Sequence, residues 1–154
     1  MNILDLIVPS AVLTSQKFTS KRSALKALVK KAAGLSGLDS KQIFSTLDTR
    51  EKLGTTGMGG GVAVPHGRMP TLGRPFALFA VLAKPVDFDA LDGQPVDLVC
   101  LLLSPVDGPA GHLRALACVS RLLRDKTLCA RLRGCNEPDA VYALLAQTVS
   151  ARAA

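Results

Sequence analysis

Two apolar runs constrain this chain most: residues 76–82 (FALFAVL) and 97–103 (DLVCLLL). Each has the length of one strand, and neither alternates apolar with polar as a one-sided strand would. Strands of this kind bury both faces, so the sheet needs helices above and below it. Pro85 and the Asp92-Gly93 pair place turns between the runs, and Pro105 and Pro109 bracket a loop after the second.

Helical patterns surround the runs. Ser20 is placed to cap a helix reaching about Ala33, with Leu25, Leu28, Val29 and Ala32 on one stripe and Gly34 as its stop. Asp39 opens a second helix, with Gln42 three residues on as in a capping box; Ile43 and Leu47 share a face that continues to Arg50, and Gly54 ends it. A third helix is expected from Pro109 or Ala110 to about Arg124, with Leu113, Leu116, Ala117, Ser120 and Leu123 on its stripe. A short one follows over residues 128–133. The last begins after Asn136, with Val141, Leu144 and Leu145 inward and a frayed tail at 151–154. Residues 3–9 are apolar and broken by Pro9, and 11–13 read as a short strand. The expected fold is α/β: a single domain over residues 1–154, with a mixed parallel and antiparallel sheet flanked by helices on both faces.

With 48% apolar residues the chain can build a core. No apolar stretch reaches the roughly 20 residues of a membrane-spanning helix. The first ten residues carry Asp5 and no basic cluster, so a cytoplasmic protein with no membrane insertion is expected. Cys100, Cys118, Cys129 and Cys135 form no C-x-x-C pair and read as reduced, mostly buried thiols. With only two histidines in addition, no metal site is expected. The net charge of +7 raises nucleic acid as a partner, but the Lys and Arg are dispersed and aromatics make up only 4% of the chain, too few for a stacking surface. A solvated basic surface is expected, with an acidic partner or a weak polyanion contact as the alternative.

The chemistry concentrates in residues 49–68, TREKLGTTGMGGGVAVPHGR. Gly57, Gly59, Gly60 and Gly61 allow a turn whose amides could converge on an anion. They match neither the phosphate loop G-x-x-x-x-G-K-[ST] nor a G-x-G-x-x-G that opens a helix, and alone they suit a plain turn equally well. His66 follows three small apolar residues and Pro65, which is expected to stop the strand. A neutral imidazole held near the surface on rigid backbone can accept a phosphoryl group. Arg50 and the amides of Gly59, Gly60 and Gly61 would stabilise the equatorial oxygens. For Arg50, the alternative is a stem packed on the protein with its head in solvent. His112, at a helix start, is either a neutral hydrogen-bond donor to the phosphoryl group or a residue bonding solvent. No cofactor is implied.

At these residues the chain resembles the enzyme IIA family of the bacterial phosphoenolpyruvate-dependent phosphotransferase system. The resemblance is to the mannitol/fructose type and most closely to its nitrogen-regulatory branch. The family pattern is roughly T-R-E, then G-[ST]-T-G-[IM]-G-x-G-[IV]-A-[IV]-P-H-[GA], which residues 49–51 and 54–67 follow. The stretch 88–98, His112-Leu113 and residues 122–132 extend the resemblance over essentially the whole chain. It implies that His66 is phosphorylated and that His112 and Arg50 support the phosphoryl group. It implies a histidine-containing phosphocarrier protein as donor, and either regulated target proteins or a IIB protein as the next partner. The basic balance departs from the family, because the donor usually presents basic charge itself; Asp87, Asp89, Asp92 and Asp97 would offset this if they cluster near His66. A regulatory phosphocarrier, a sugar-transport IIA subunit and a metal-free hydrolase using both histidines remain to be separated. No Ser or Cys nucleophile accompanies either histidine, which counts against the hydrolase.

Overall fold

The two long apolar runs form adjacent antiparallel strands, β5 (Phe76–Val86) and β6 (Val96–Pro105), in register from Phe76 opposite Leu103 to Val81 opposite Leu98. The structure, a computed structural model, describes residues 1–153. The other strands are β1 (Val12–Gln16), β2 (Gly57–Gly59), β3 (Val62–Ala63) and β4 (His66–Met69). Their order is β1-β5-β6-β3-β2, with β4 also paired to β6. β1 runs parallel to β5, β3 and β4 run parallel to β6, and β2 and β3 form an antiparallel hairpin. The sheet is therefore mixed, and β6 is its spine.

Residues 77–82 and 98–104 are buried without a break, as strands covered on both faces must be. The covering helices are α1 (Lys21–Ser36), α2 (Ser40–Leu53), α3 (Pro109–Leu123), α4 (Lys126–Arg133) and α5 (Pro138–Ala153). α1 packs on α2 and β5, α2 on β4, α3 and α4 on β6, and α5 on β1. Phe79, Phe88, Leu98 and Leu101 lie fully buried in the single core cluster. Each such side chain contributes about 1.5–3 kcal/mol relative to exposure.

Local chemistry explains where the elements differ from expectation. α1 continues through Gly34 to Ser36 and ends at Gly37, whose φ of 77° suits glycine and whose amide donates to the Ala33 carbonyl. A mid-helix glycine costs about 1 kcal/mol, and Leu35, packed on the core one residue later, offsets it. Pro85 makes no turn: β5 runs through it to Val86, and the pairing with β6 shifts register between Val81 and Val86, where a missing N–H disturbs no regular ladder. The short strand stops before Pro65, as expected: β3 ends at Ala63, and a separate strand, β4, begins at His66. The buried face of α3 is His112, Ala115, Val119, Leu122 and Leu123, while Leu113 is 65% exposed and Ala117 is exposed. The stripe is thus rotated from the expected one, and the rotation turns His112 inward. The tail expected to fray is helical through Ala153, and Ala154 lies outside the described residues.

One contact ties the fold to β4. A Cβ built on Gly67 would come within 2.6 Å of Thr46 Cγ2 and 3.5 Å of Leu47 Cδ2. Thr46 has little freedom to yield, because its hydroxyl donates to the Gln42 carbonyl at 2.9 Å. Gly67→Ala is therefore expected to push β4 off α2, at a cost of about 1–3 kcal/mol. Urea denaturation would show a lower midpoint with an unchanged slope.

Candidate functional site

β6 holds His66 in place. The Leu102 amide donates to the Pro65 carbonyl at 2.8 Å, and His66 stands opposite Leu102 in the parallel β4–β6 pair. The half-buried ring is fixed at both nitrogens. Nδ1 lies 2.8 Å from the Val64 carbonyl oxygen, which can only accept, so Nδ1 carries the proton. Arg50 Nε donates to Nε2 at 3.3 Å, which leaves that nitrogen its lone pair. Arg50 is itself anchored, since its Nη1 donates to the Gly54 carbonyl at 2.8 Å across the end of α2. The head of Arg50 does not escape to solvent; it faces the imidazole.

His112 reaches the same place from α3. It is only 8% exposed, and its ring centroid lies 5.6 Å from that of His66 with the planes tilted by 42°. Its Nδ1 is buried with no hydrogen-bond partner. Burial pushes the pKa of His66 below its ordinary value, and the Arg50 charge adds to this, against the Val64 hydrogen bond and Glu51. Burial likewise lowers His112, helped by His66 and Arg68. Both rings are therefore neutral at pH 7. The unfolded chain then binds protons that the native state refuses, in the window from the lowered native values up to 6.5. Stability is expected to fall as pH drops through that window, and urea midpoints measured at about pH 7.5 and about pH 5.5 would show it.

The His66 ring borders a hollow of about 190 Å³ lined also by Arg50, Thr55, Thr56, Gly57 and, from α3, Leu116 and Ser120. Glu51 shapes its wall. This carboxylate, 6% exposed, accepts from the Thr56 amide at 3.1 Å and from the Thr56 hydroxyl, and pairs with Lys21 Nζ at 2.8 Å. Glu51, Thr56 and Lys21 had no assigned role in the sequence reading. For Glu51 and Thr56 the signal lay in the motif itself, where Glu51 follows Arg50 and Thr56 sits two residues past Gly54; Lys21, at the start of α1, has no local signal.

The expected anion cradle at Gly59, Gly60 and Gly61 is not formed. These glycines make the β2–β3 turn with φ of 94°, 65° and 78°. The Gly60 amide donates to Asp92 Oδ2 at 2.9 Å and its carbonyl accepts from Arg133 Nη2 at 2.6 Å. Gly59 and Gly60 line a neighbouring hollow instead, and of these glycines only Gly57 borders the hollow at His66. The acids do not gather around His66 either. Asp92 bonds the glycine turn, and Asp97 takes Arg133 Nε at 2.8 Å. Asp97 and Arg133 stand 36 residues apart, so no local pattern announces them.

Fold and site together define a class: a mixed-sheet α/β domain that presents a neutral, oriented imidazole with a guanidinium on its free nitrogen. The chain belongs to the family described as phosphoenolpyruvate-dependent sugar phosphotransferase system, EIIA 2, whose model matches residues 5–148. It is 50% identical over 146 residues to a nitrogen regulatory protein of Bradyrhizobium diazoefficiens, covering 95% of each chain. It is 41% identical over 131 residues to that of Escherichia coli, covering 84% of this chain and 80% of the relative. The crystal structure of nitrogen regulatory protein IIA-Ntr from Neisseria meningitidis superposes with a TM-score of 0.87 at 31% identity, over 93% of this chain and 98% of that one. The chain is thus a phosphotransferase-system component similar to nitrogen regulatory proteins. Among the described residues, no helix is long and apolar enough to cross a membrane.

Proposed function

We propose that this chain is a cytoplasmic histidine phosphocarrier, charged on His66 Nε2 by a histidine-containing phosphocarrier protein, and that its phosphorylation state governs which proteins it binds. The observation that carries this reading is the Arg50–His66–Val64 chain of hydrogen bonds. It leaves a lone pair on Nε2 and a guanidinium beside it, and phosphoryl transfer needs mainly such positioning and charge. In the step, the Nε2 lone pair forms a bond to phosphorus. The P–N bond of the donor's phosphohistidine breaks, and its electron pair returns to the donor imidazole. The Nδ1 proton stays on His66, held by the Val64 carbonyl, so the phosphorylated ring becomes cationic and offsets part of the phosphoryl charge. Arg50 shifts from Nε2 to the equatorial oxygens. His112, neutral and 5.6 Å away between ring centroids, donates an N–H to the same group. Added charge at one site is a sufficient regulatory signal.

The test is incubation with phosphoenolpyruvate, enzyme I and the phosphocarrier. An acid-labile, base-stable label on the protein is expected. Steady phosphate release without an acceptor would point to hydrolysis, and rapid onward transfer to fructose- or mannitol-type IIB proteins would favour a sugar-transport role over regulation. His112→Ala is expected to label more slowly, by about 10–100-fold, as loss of one hydrogen bond to a charged group, worth about 1.5–3 kcal/mol, implies. An unchanged rate would remove His112 from the mechanism.

A further inference from the structure

The positive charge of this chain is not spread over its surface as the sequence suggests. Residues 17–53 hold nine Lys or Arg (Lys17, Lys21, Arg22, Lys26, Lys30, Lys31, Lys41, Arg50, Lys52) against three acids (Asp39, Asp48, Glu51), which is six of the seven net positive charges. Those residues are essentially the α1–α2 hairpin. Two hollows lie on its outer side, divided by Phe44. One, of about 250 Å³, is bordered by Arg22, Leu25 and Phe44 and by the ion pairs Lys21–Glu51 and Lys52–Asp48; the other, of about 420 Å³, by Lys26, Val29, Lys30 and Lys41. Neither shares a lining residue with the histidine hollow, although Glu51, which borders the first of them, also holds Thr56 in the wall of that hollow. Arg22 and Lys26 stand over the Phe44 ring at 5.1 and 5.8 Å. Lys21 and Lys52 have carboxylate partners; among the described residues Arg22, Lys26, Lys30 and Lys41 have none, and all four are exposed.

We propose that this face is a docking surface for an acidic amphipathic segment of a protein partner, separate from the phosphoryl site. Its chemistry is specific to such a segment. The floors of the hollows are apolar, at Leu25 and Val29, which suits two bulky apolar anchors on one side of a helix or turn. Their rims carry Arg22, Lys26, Lys30 and Lys41 without carboxylate partners, beside two ion pairs whose charges already cancel, so the free charge there is positive and suits carboxylates flanking those anchors. A membrane fits poorly, because a bilayer takes up protruding apolar side chains, and none of the large exposed ones (Met1, Val8, Leu53, Leu91, Val106, Leu113) borders either hollow. A single-stranded nucleic acid fits poorly too, because the one aromatic ring is already covered by Arg22 and Lys26 and offers no open face for a base.

The probe is a fluorescein-labelled peptide of about 18 residues, long enough for five helical turns, with Glu and Asp on one face and Leu and Phe on the other. Binding is read by fluorescence anisotropy on the whole chain at low and at physiological salt. The expected result is saturable binding that weakens about tenfold or more in Lys26→Glu/Lys41→Glu, as reversal of two rim charges implies, and is unchanged in His66→Ala. Phe44→Ala should weaken it as well; the double charge variant, altered only at exposed positions, keeps the test sound if Phe44→Ala is unstable. The proposal is overturned by no saturable binding, by equal binding of a scrambled peptide with no apolar face, by tighter binding to anionic phospholipid vesicles or an oligonucleotide, or by full binding of the charge-reversed variant. Loss of binding in His66→Ala would move the peptide to the phosphoryl site and also overturn it.

Discussion

His66→Ala yields a chain that takes up no phosphoryl label from the charged phosphocarrier, whatever the incubation time. No other group can substitute. His112 is the one other histidine, and it is 8% exposed, with a buried, unpartnered Nδ1. The thiols are no substitute either: none of the four lines the hollow at His66, and Cys135 Sγ donates to the Arg131 carbonyl at the end of α4. Burial raises the pKa of Cys100 to about 12, and burial also raises those of Cys118 and Cys129, so their nucleophilic thiolates are scarce near neutral pH. The variant should fold. The ring's bond to the Val64 carbonyl is local, and β4 remains paired to β6 through its backbone. A second readout separates loss of the nucleophile from loss of the fold. His66 is one of the charges that lower the pKa of His112. Removing it should therefore raise the His112 titration midpoint toward the ordinary value, which NMR of the ring protons would follow. A label that survives in the alanine variant, or a His112 midpoint that does not move, would break the link between these two rings.

The residues 76–82 and 97–103 announced the sheet because strands buried on both faces cannot alternate, and only covering helices satisfy that requirement. The helix caps at Ser20 and Asp39 were equally legible, since each rests on one side-chain acceptor three residues from its amide. Legibility failed where tertiary packing chose between local options. Gly34 looked like a stop, but the core contact of Leu35 carried α1 on to Gly37. On α3 two stripes compete, and β6 selected the one containing His112 rather than the one containing Leu113, a choice made by the sheet and invisible in the helix. The glycines misled for a related reason. Their positive φ values were foreseeable, but which carboxylate would occupy the Gly60 amide depended on Asp92, brought in by a loop 32 residues away. Arg50 lay between these cases: the helical face placed it correctly, while its bond to His66 needed β4 to be laid against α2 by Gly67.

Arg50→Gln should slow labelling of His66 by about 10²–10³-fold, the usual effect of removing one preorganised donor from the developing charge of a transition state. Two contributions are lost together. The cation that would meet the equatorial oxygens is gone, and so is the bond from Nε that holds the Nε2 edge of the ring toward the hollow. A sign argument makes the prediction specific. Arg50 is among the causes that lower the pKa of His66, so the variant's imidazole should be more basic and titrate at a higher pH. A more basic nitrogen is, if anything, the better nucleophile once deprotonated. Slow labelling well above the new midpoint can therefore come only from lost positioning and lost charge, and the rate should be measured there. Arg50→Lys sharpens the point. It keeps a positive charge but cannot bridge His66 Nε2 and the Gly54 carbonyl with a rigid fork. It should recover part of the rate and little of the ring orientation. If glutamine at this position labels as fast as arginine once His66 is deprotonated, the guanidinium serves only to close the end of α2, and the phosphoryl group must draw its stabilisation from the Thr55–Gly57 backbone instead.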